Sequence, residues 1–205
     1  KNFTLDKADR SSMFSIEFDG VYENSEVWIN GNYLGKRPFG YISFGYDLTP
    51  YLDFKGENVL AVRVDNSKQP SARWYTGCGI YRHVWLVKTG RLHIDRYGVY
   101  ATTPKITEDS ATVRVRTTIV NDFDELKEFY LVNEVYSPEN KLIASFESPV
   151  QLGADQRVEN VQNLIVKDPE LWSPDNPTLY KLKTIIRSEK DLFDEMETNI
   201  GIRYF

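Results

Sequence analysis

The residues best suited to chemistry lie in one short run of the chain, from Ser71 to Leu86. Arg73, Trp74 and Tyr75 are adjacent there and are closely followed by two glycines. Flat aromatic faces stack on the C–H faces of sugars, and a guanidinium group donates paired hydrogen bonds to hydroxyls or a carboxylate. This run therefore predicts contact with a small polar ligand. The alternative is that Trp74 and Tyr75 only close the end of a sandwich.

The two glycines are expected to shape the backbone that follows these side chains. Because Gly77 and Gly79 lack a Cβ, both can adopt positive φ and allow a sharp turn beside bulky neighbours. Residues 80–87 then alternate with period two, which predicts a strand with both faces largely covered. Within it, Arg82 is expected to be a buried ion-pair partner rather than a ligand contact. Cys78 is interpreted as a small packing residue rather than a nucleophile.

The remaining titratable residues show no catalytic or metal-binding pattern. His83 and His93 lack the spacing of metal ligands and are interpreted as surface or satisfied core histidines. Two carboxylate pairs lie in turn-like or solvent-facing patterns without aromatic neighbours, which indicates solvated faces: Glu195 with Glu197, and Glu125 with Glu128. We expect no cofactor, no metal site and no catalytic residue in this chain.

Composition favours a β-rich protein, with 13 Tyr, 11 Phe and 4 Trp among 205 residues. A net charge of −5 without a basic stripe argues against nucleic acid as a partner. No apolar run reaches transmembrane length, so membrane insertion is not expected. A single cysteine excludes an internal disulfide and does not indicate the cellular compartment. A periplasmic or secreted location is favoured over a cytoplasmic one.

The first ninety residues are predicted to form short strands separated by turns. Phe14, Ile16 and Phe18 alternate with polar residues before a turn at Asp19-Gly20, which predicts a half-buried strand. Asn30-Gly31 stands between two apolar runs, the strongest short-range hairpin signal. A further strand is predicted over residues 58–64.

These segments resemble glycoside hydrolase family 2. The matches, in order and spacing, are Phe-Asp-Gly-Val at 18–21, Val-x-x-Asn-Gly-x-x-x-Gly at 27–35, Asp-Leu-Thr at 47–49, Gly-x-Asn-x-Leu-x-Val-x-Val at 56–64 and Arg-Trp-Tyr-x-Gly-x-Gly-Ile-Tyr-Arg-x-Val at 73–84. The resemblance implies that residues 1–90 are a sugar-binding jelly-roll domain, incomplete at its N-terminus. It also implies that the run at 73–84 faces the family's active site.

From residue 91 a second series of alternating strands predicts an immunoglobulin-like sandwich over 91–205, with roughly seven strands. The chain is therefore read as all-β, with two consecutive β-sandwich domains. The proline-rich run 168–180 resembles another family segment and is interpreted as architecture, in which Trp172 packs in a fixed place. In the family, the step Gly201-Ile202-Arg203 joins this domain to a catalytic (β/α)8 barrel, which is expected after residue 205.

What the resemblance implies for function is the non-catalytic N-terminal part of a retaining β-galactosidase acting on a β-galactoside. Both catalytic glutamates would belong to the barrel, the partner of these domains, and the oligomeric state stays open. Substrate contacts are expected from Arg73, Trp74, Tyr75 and Asn66, although this chain has Ala72-Arg73 where some family members place a carboxylate. The alternatives are a β-glucuronidase, a stand-alone carbohydrate-binding protein and a cell-surface adhesion module.

Overall fold

The structure is a computed structural model that describes residues 1–68 and 76–204. The chain divides into two compact units, Lys1–Thr89 and Gly90–Phe205. Each is built from antiparallel β-sheets, and the described helices are two short 3₁₀ turns. The all-β prediction with two sandwich domains is confirmed, and each unit is described by itself below.

The first unit pairs its strands into a four-stranded sheet, a three-stranded sheet and a two-stranded ladder. The sheet orders are β1-β7-β4-β5, β6-β2-β9 and β3-β8. The 3₁₀ turns are Lys7–Ser11 and Thr49–Tyr51, and the strands are β1 (Asn2–Phe3), β2 (Met13–Phe18), β3 (Val21–Tyr22), β4 (Ser25–Ile29), β5 (Asn32–Arg37), β6 (Phe44–Asp47), β7 (Asn58–Arg63), β8 (Gly79–Ile80) and β9 (Val84–Thr89).

The strands predicted before Asp19-Gly20 and over residues 58–64, and the hairpin predicted at Asn30-Gly31, are confirmed. Phe14, Ile16 and Phe18 are the buried residues of β2, and the residues between them are half-buried. Strands β4 and β5 form the predicted hairpin, with φ of 49° at Asn30 and 81° at Gly31. Positive φ at both central residues is the geometry of a type I′ turn, whose twist matches that of paired strands.

The prediction of one covered strand over residues 80–87 is wrong. The segment is divided into β8 and β9, and Val84, Trp85 and Leu86 are all exposed. The reason is that β9 is an edge strand, paired in the described structure with β2 alone. Its inward-facing Val84 and Leu86 line an open cavity of about 600 Å³ together with residues of both sheets.

The second unit has seven strands, in a three-stranded sheet of order β10-β11-β14 and a four-stranded sheet of order β13-β12-β15-β16. This matches the strand number predicted for an immunoglobulin-like sandwich. The strands are β10 (Leu92–Ile106), β11 (Ser110–Asn121), β12 (Lys127–Tyr136), β13 (Leu142–Leu152), β14 (Gln156–Lys167), β15 (Tyr180–Arg187) and β16 (Leu192–Ile200).

A chain of polar side chains crosses the interior of this unit between its two sheets. The Asn133 amide donates to Gln162 Oε1 at 2.9 Å, and Thr184 Oγ1 donates to Asn133 Oδ1 at 2.6 Å. Gln162 in turn donates to the Leu131 carbonyl and to Ser148 Oγ. Each buried amide is therefore paired, as a stable core requires.

The proline-rich run 168–179 lies outside the strands, as predicted. The Trp172 amide donates to the Ile202 carbonyl at 2.7 Å, and a Cβ added to Gly201 would lie 3.0 Å from the Trp172 ring. The Arg203 guanidinium stands over that ring at 5.1 Å. Trp172 is thus fixed against the last residues of the described chain, which agrees with an architectural role.

Candidate functional site: one end of the first unit

The short ladder between β3 and β8 holds the glycine end of the predicted sugar-contacting run. Tyr22 pairs with Gly79, and Val21 pairs with Ile80. Gly79 has φ of 88°, in the left-handed region that favours glycine. Gly77 does not adopt positive φ, so of the two predicted turn glycines only Gly79 has the special backbone conformation.

The predicted ligand contacts are only partly within the described structure. Arg73, Trp74 and Tyr75 lie outside the described residues. Asn66 is half-buried, and its side-chain amide donates to the Gly77 carbonyl at 3.4 Å. That hydrogen bond ties the segment that follows β7 to the glycine segment.

Two neighbouring interpretations are wrong. Cys78 is exposed, so it does not pack against the core. Arg82 is exposed too, and so is not a buried ion-pair partner. Both errors have the same cause: they assumed a covered strand, whereas this part of the chain passes along an open edge between β8 and β9.

Aromatic side chains from separate segments meet beside Gly79. Tyr22 packs against Tyr41 with ring centroids 5.3 Å apart, and Tyr41 packs edge-on against Phe39 at 5.7 Å. The Tyr22 hydroxyl is hydrogen-bonded to the side chains of Thr76 and Tyr41. Partial desolvation raises the pKa of Tyr22, so it is a neutral hydrogen-bonding group at physiological pH.

Two glycines allow this packing because the rings occupy the space that a side chain would need. A Cβ on Gly40 would lie 2.3 Å from the Tyr22 ring, and a Cβ on Gly20 would lie 2.5 Å from the Tyr81 ring. The Tyr81 hydroxyl also donates to the Gly40 carbonyl at 2.7 Å. The aromatic cluster is therefore held in one arrangement by backbone as well as by ring contacts.

Polar groups border the cluster at the end of β7. The Asp65 amide donates to the Glu23 carbonyl at 3.2 Å, and Asn24 donates to the Asp65 carbonyl at 3.1 Å. Hydrogen bonds from the Ser67 hydroxyl and amide lower the pKa of Asp65. Asp65 is thus a carboxylate at neutral pH and an acceptor for hydroxyl groups.

The carboxylate pairs of the second unit carry ion pairs or surface hydrogen bonds. Glu195 and Glu197 lie 2.9 Å and 3.3 Å from Lys183 and Lys181. Glu125 contacts Lys127, and Gln151 donates to Glu128. All four belong to solvated faces, as predicted.

Neither histidine belongs to a metal site in the described ranges. His83 is exposed and stacks on Trp85, with Nδ1 3.7 Å from Asp19. His93 Nδ1 lies 3.5 Å from Asp122. Among residues 1–68 and 76–204, no group of three or more metal-ligating side chains is found, and no helix could span a membrane.

Sequence reasoning missed the aromatic cluster as a site. Tyr22 and Tyr41 lie far in sequence from the run at 73–84, and Tyr81 lies within that run but is not among the residues predicted to contact a ligand. The available signal was two glycines elsewhere in the chain, Gly40 and Gly20, which make room for the Tyr22 and Tyr81 rings, because a glycine at a loop often marks close approach of another group. Which ring meets which glycine depends on strand pairing, which local patterns do not specify.

Family models match both units. Residues 1–90 match "Glycosyl hydrolases family 2, sugar binding domain", and residues 92–203 match "Glycosyl hydrolases family 2". β-Galactosidase BoGH2A of Bacteroides ovatus is 48% identical over 205 residues, which are all of this chain and 24% of that protein. A Formosa agariphila protein provisionally named a β-glucuronidase is 47% identical over 203 residues, covering 99% of this chain and 19% of its own length.

Solved structures agree with these matches. A glycosyl hydrolase family 2 member from Bacteroides cellulosilyticus has a TM-score of 0.95 and 36% identity, covering 98% of this chain and 28% of that one. A β-glucuronidase structure of the same family has a TM-score of 0.95 and 32% identity, covering 100% and 24%. The chain thus spans between 19% and 28% of the length of these four proteins.

Proposed function

Because the chain belongs to glycosyl hydrolase family 2, we propose that it is the non-catalytic N-terminal portion of a retaining β-galactosidase. The observation that carries the proposal is the match of the whole chain, at 48% identity, to 24% of the length of a β-galactosidase. The chain would form part of the substrate cleft, and a barrel elsewhere in the whole protein would supply the chemistry.

The division of labour follows from what glycoside hydrolysis needs. A retaining enzyme holds two carboxyl groups about 5 Å apart, one as nucleophile and one as acid and base. The sequence pairs that could do this, such as Glu195 with Glu197, are held by surface lysines instead. The chain on its own should therefore release no galactose from an aryl β-galactoside.

That expectation gives the first experiment. Purified residues 1–205 and the full-length protein are assayed on 4-nitrophenyl β-galactoside under the same conditions. Only the full-length protein should turn it over. Turnover by the shorter chain that disappears on mutation of one of its own carboxylates would overturn the proposed division.

The part played by this chain is substrate contact at the end of the first unit. Arg73 and Trp74 are proposed as a hydrogen-bond donor and a stacking surface, with Tyr75 and Asn66 beside them. If so, Arg73→Ala or Trp74→Ala should lower kcat/KM of the full-length enzyme. The loss of transition-state stabilisation calculated from the ratio of kcat/KM values should be about 1–3 kcal/mol, the range for losing one polar or stacking contact. Arg114→Ala, an exposed arginine of the second unit, is the matched control. Wild-type kcat/KM in both Arg73→Ala and Trp74→Ala would favour the alternative, in which Trp74 and Tyr75 only close the end of the sandwich.

β-Glucuronidase is the second candidate, favoured by the 47% identity to the Formosa agariphila protein. The two substrates differ at C5, where a glucuronide carries a carboxylate and a galactoside a hydroxymethyl, and in the configuration of the C4 hydroxyl. The ionised Asp65 beside Asn66 favours a neutral sugar over an anionic one, because like charges repel. Comparing kcat/KM of the full-length protein on aryl β-galactoside and aryl β-glucuronide decides between them.

A further inference from the structure

The first unit has an apolar opening along one side of its sandwich, which we call the edge cavity. Its volume is about 600 Å³, and strands of both sheets line it. The apolar side chains come in pairs from three strands: Ile16 and Phe18 of β2, Leu60 and Val62 of β7, and Val84 and Leu86 of β9. An opening that reaches the hydrophobic core keeps apolar surface in water, so covering it stabilises the fold.

The backbone at Lys1 indicates which segment covers the edge cavity. The Lys1 amino group donates to the Leu60 carbonyl at 2.8 Å, and the Leu60 amide donates to the Lys1 carbonyl at 2.9 Å. These two bonds make Lys1 and Leu60 a hydrogen-bonded pair that continues the antiparallel β1–β7 ladder. Because such pairs recur at every second residue, the next one joins the second residue before Lys1 to Val62.

Strand β7 has an edge available for that pairing. Its residues 60–63 pair with β4 on one side, and in residues 1–68 and 76–204 no strand pairs with the other side beyond Leu60. The Val59 amide and carbonyl both bond Asn30, at the end of β4. Backbone groups of successive residues point to opposite edges of a strand, so those of Val62 point to the open edge. An unpaired edge of this kind is a template for a further strand.

The side-chain alternation of β1 agrees with this pairing. Lys1 and Phe3 both line the edge cavity, as do Leu60 and Val62 on the partner strand. Because side chains alternate between the faces of a strand, the second residue before Lys1 shares the face of Lys1 and Phe3 and lies beside Val62. The residue immediately before Lys1 points to the other face, opposite Ala61.

We propose that the residues immediately before Lys1 in the full-length protein extend β1 along β7 and close the edge cavity. The second of them is an apolar residue that fills the space between Val62 and Leu86. Further polypeptide is available for this role, since the whole chain corresponds to 24% of the length of the Bacteroides ovatus protein. The proposal does not depend on the sugar that the protein binds.

Hydrogen exchange of the full-length protein tests the pairing. The Val62 amide should exchange as slowly as that of Ala61, which faces β4, and about 100-fold or more slowly than an unprotected amide. In a full-length variant that begins at Lys1, Val62 should lose this protection while Ala61 keeps it. Fast exchange of Val62 in the longer protein, or unchanged protection in the shortened variant, overturns the proposal.

A disulfide tests the register and identifies the occupant. In a Cys78→Ser background, a cysteine at the residue immediately before Lys1 is combined with Ala61→Cys, at a Cα separation of about 4.5 Å in the proposed register. Arg63→Cys is the matched control, because it lies two residues further along β7, about 7–8 Å away and beyond disulfide reach. Peptide mapping should find an intramolecular bridge to position 61 and none to position 63.

The other outcomes contradict the proposal in different ways. A bridge between two molecules assigns the edge cavity to a second copy of the chain. No bridge to position 61, with Val62 protected in the wild type, assigns it to another part of the protein. If the shortened variant unfolds, which loss of Ala61 protection shows, the disulfide decides. If the cysteine variants do not fold, the exchange measurements decide.

Discussion

The two units place their unusual residues in opposite positions. In the first unit they lie at one end and at the surface, where buried glycines such as Gly20 and Gly40 make room for tyrosine rings. In the second unit they lie inside, where Asn133, Gln162 and Thr184 form a hydrogen-bonded chain between the sheets. A surface that binds a ligand needs local exceptions to regular packing, whereas an interior polar chain gives two sheets one register.

The same contrast appears in the ladders. Strands β11 and β14 pair without interruption over twelve residues on each strand. The β3–β8 ladder that holds the candidate site pairs only two residues on each strand. A short ladder leaves the loops beside it free to vary in sequence, while long ladders make a stable support. We therefore expect mutations inside the second unit to lower stability most, and mutations at the end of the first unit to have smaller, local effects.

The largest effect is expected in the interior of the second unit. Asn133→Ala should lower the free energy of unfolding by about 2–4 kcal/mol, because Gln162 and Thr184 each lose a buried partner. Hydrogen exchange of the β12 and β14 amides measures this locally. The glycosidase activity proposed for the full-length protein should persist in its folded fraction.

Asn163→Ala is the matched control, since Asn163 follows Gln162 on β14 but is exposed and pairs with Arg114. Its cost should stay within about 0.5 kcal/mol. Equal loss of protection in the two variants would show that the interior chain adds nothing beyond an ordinary surface contact, and the contrast between the units would not hold.

The next effect is expected at the glycine end of the first unit. Gly79→Val should cost about 1–3 kcal/mol, since a β-branched residue adopts φ of 88° only with strain. Gly77→Val is the control, because Gly77 lacks positive φ and no described atom lies within 4 Å of its added Cβ. The denaturant midpoint of the first unit is measured for both variants. Equal midpoints would show that the positive φ of Gly79 does not make its substitution more costly than that of Gly77.

That pair of glycines also marks how far sequence alone reaches. The spacing of Gly77 and Gly79 predicts a turn. Because both are glycines, the sequence does not say which of them adopts positive φ. In the structure it is Gly79, the glycine that pairs with Tyr22. Local signals were sufficient elsewhere. Asn30-Gly31 specified its hairpin because a type I′ turn is encoded by the two residues that form it.

Errors arose where tertiary position overrode a local pattern. Residues 80–87 alternate like a covered strand, yet β9 lies at an edge, so Leu86 and Trp85 remain exposed. Alternation describes which side chains share a face and does not say whether anything covers that face. The aromatic cluster escaped notice for the same reason, because Tyr22 and Tyr41 meet only after the strands have paired.

The smallest expected effects depend on pH and should have opposite signs in the two units. In the second unit, burial raises the pKa of Asp194 despite hydrogen bonds from the Ile94 and Glu195 amides and a nearby His93. In the first unit, hydrogen bonds from Ser67 lower the pKa of Asp65. A raised carboxyl pKa means that ionisation opposes folding, and a lowered one means that ionisation favours it.

For Asp194, the stabilising contribution is present below the unfolded pKa of about 3.9 and is lost as pH rises through the higher folded value. The unfolding free energy of the wild type minus that of Asp194→Asn should therefore decrease as pH rises from about 3 and then level off. For Asp65 the contribution is present above the unfolded pKa and is lost as pH falls through the folded value, so the same difference for Asp65→Asn should increase over that window. Denaturant titration of the wild type and each variant between about pH 3 and pH 6 gives the two free-energy differences as a function of pH. If both differences changed with pH in the same direction, the environments of Asp194 and Asp65 would not differ as their contacts indicate.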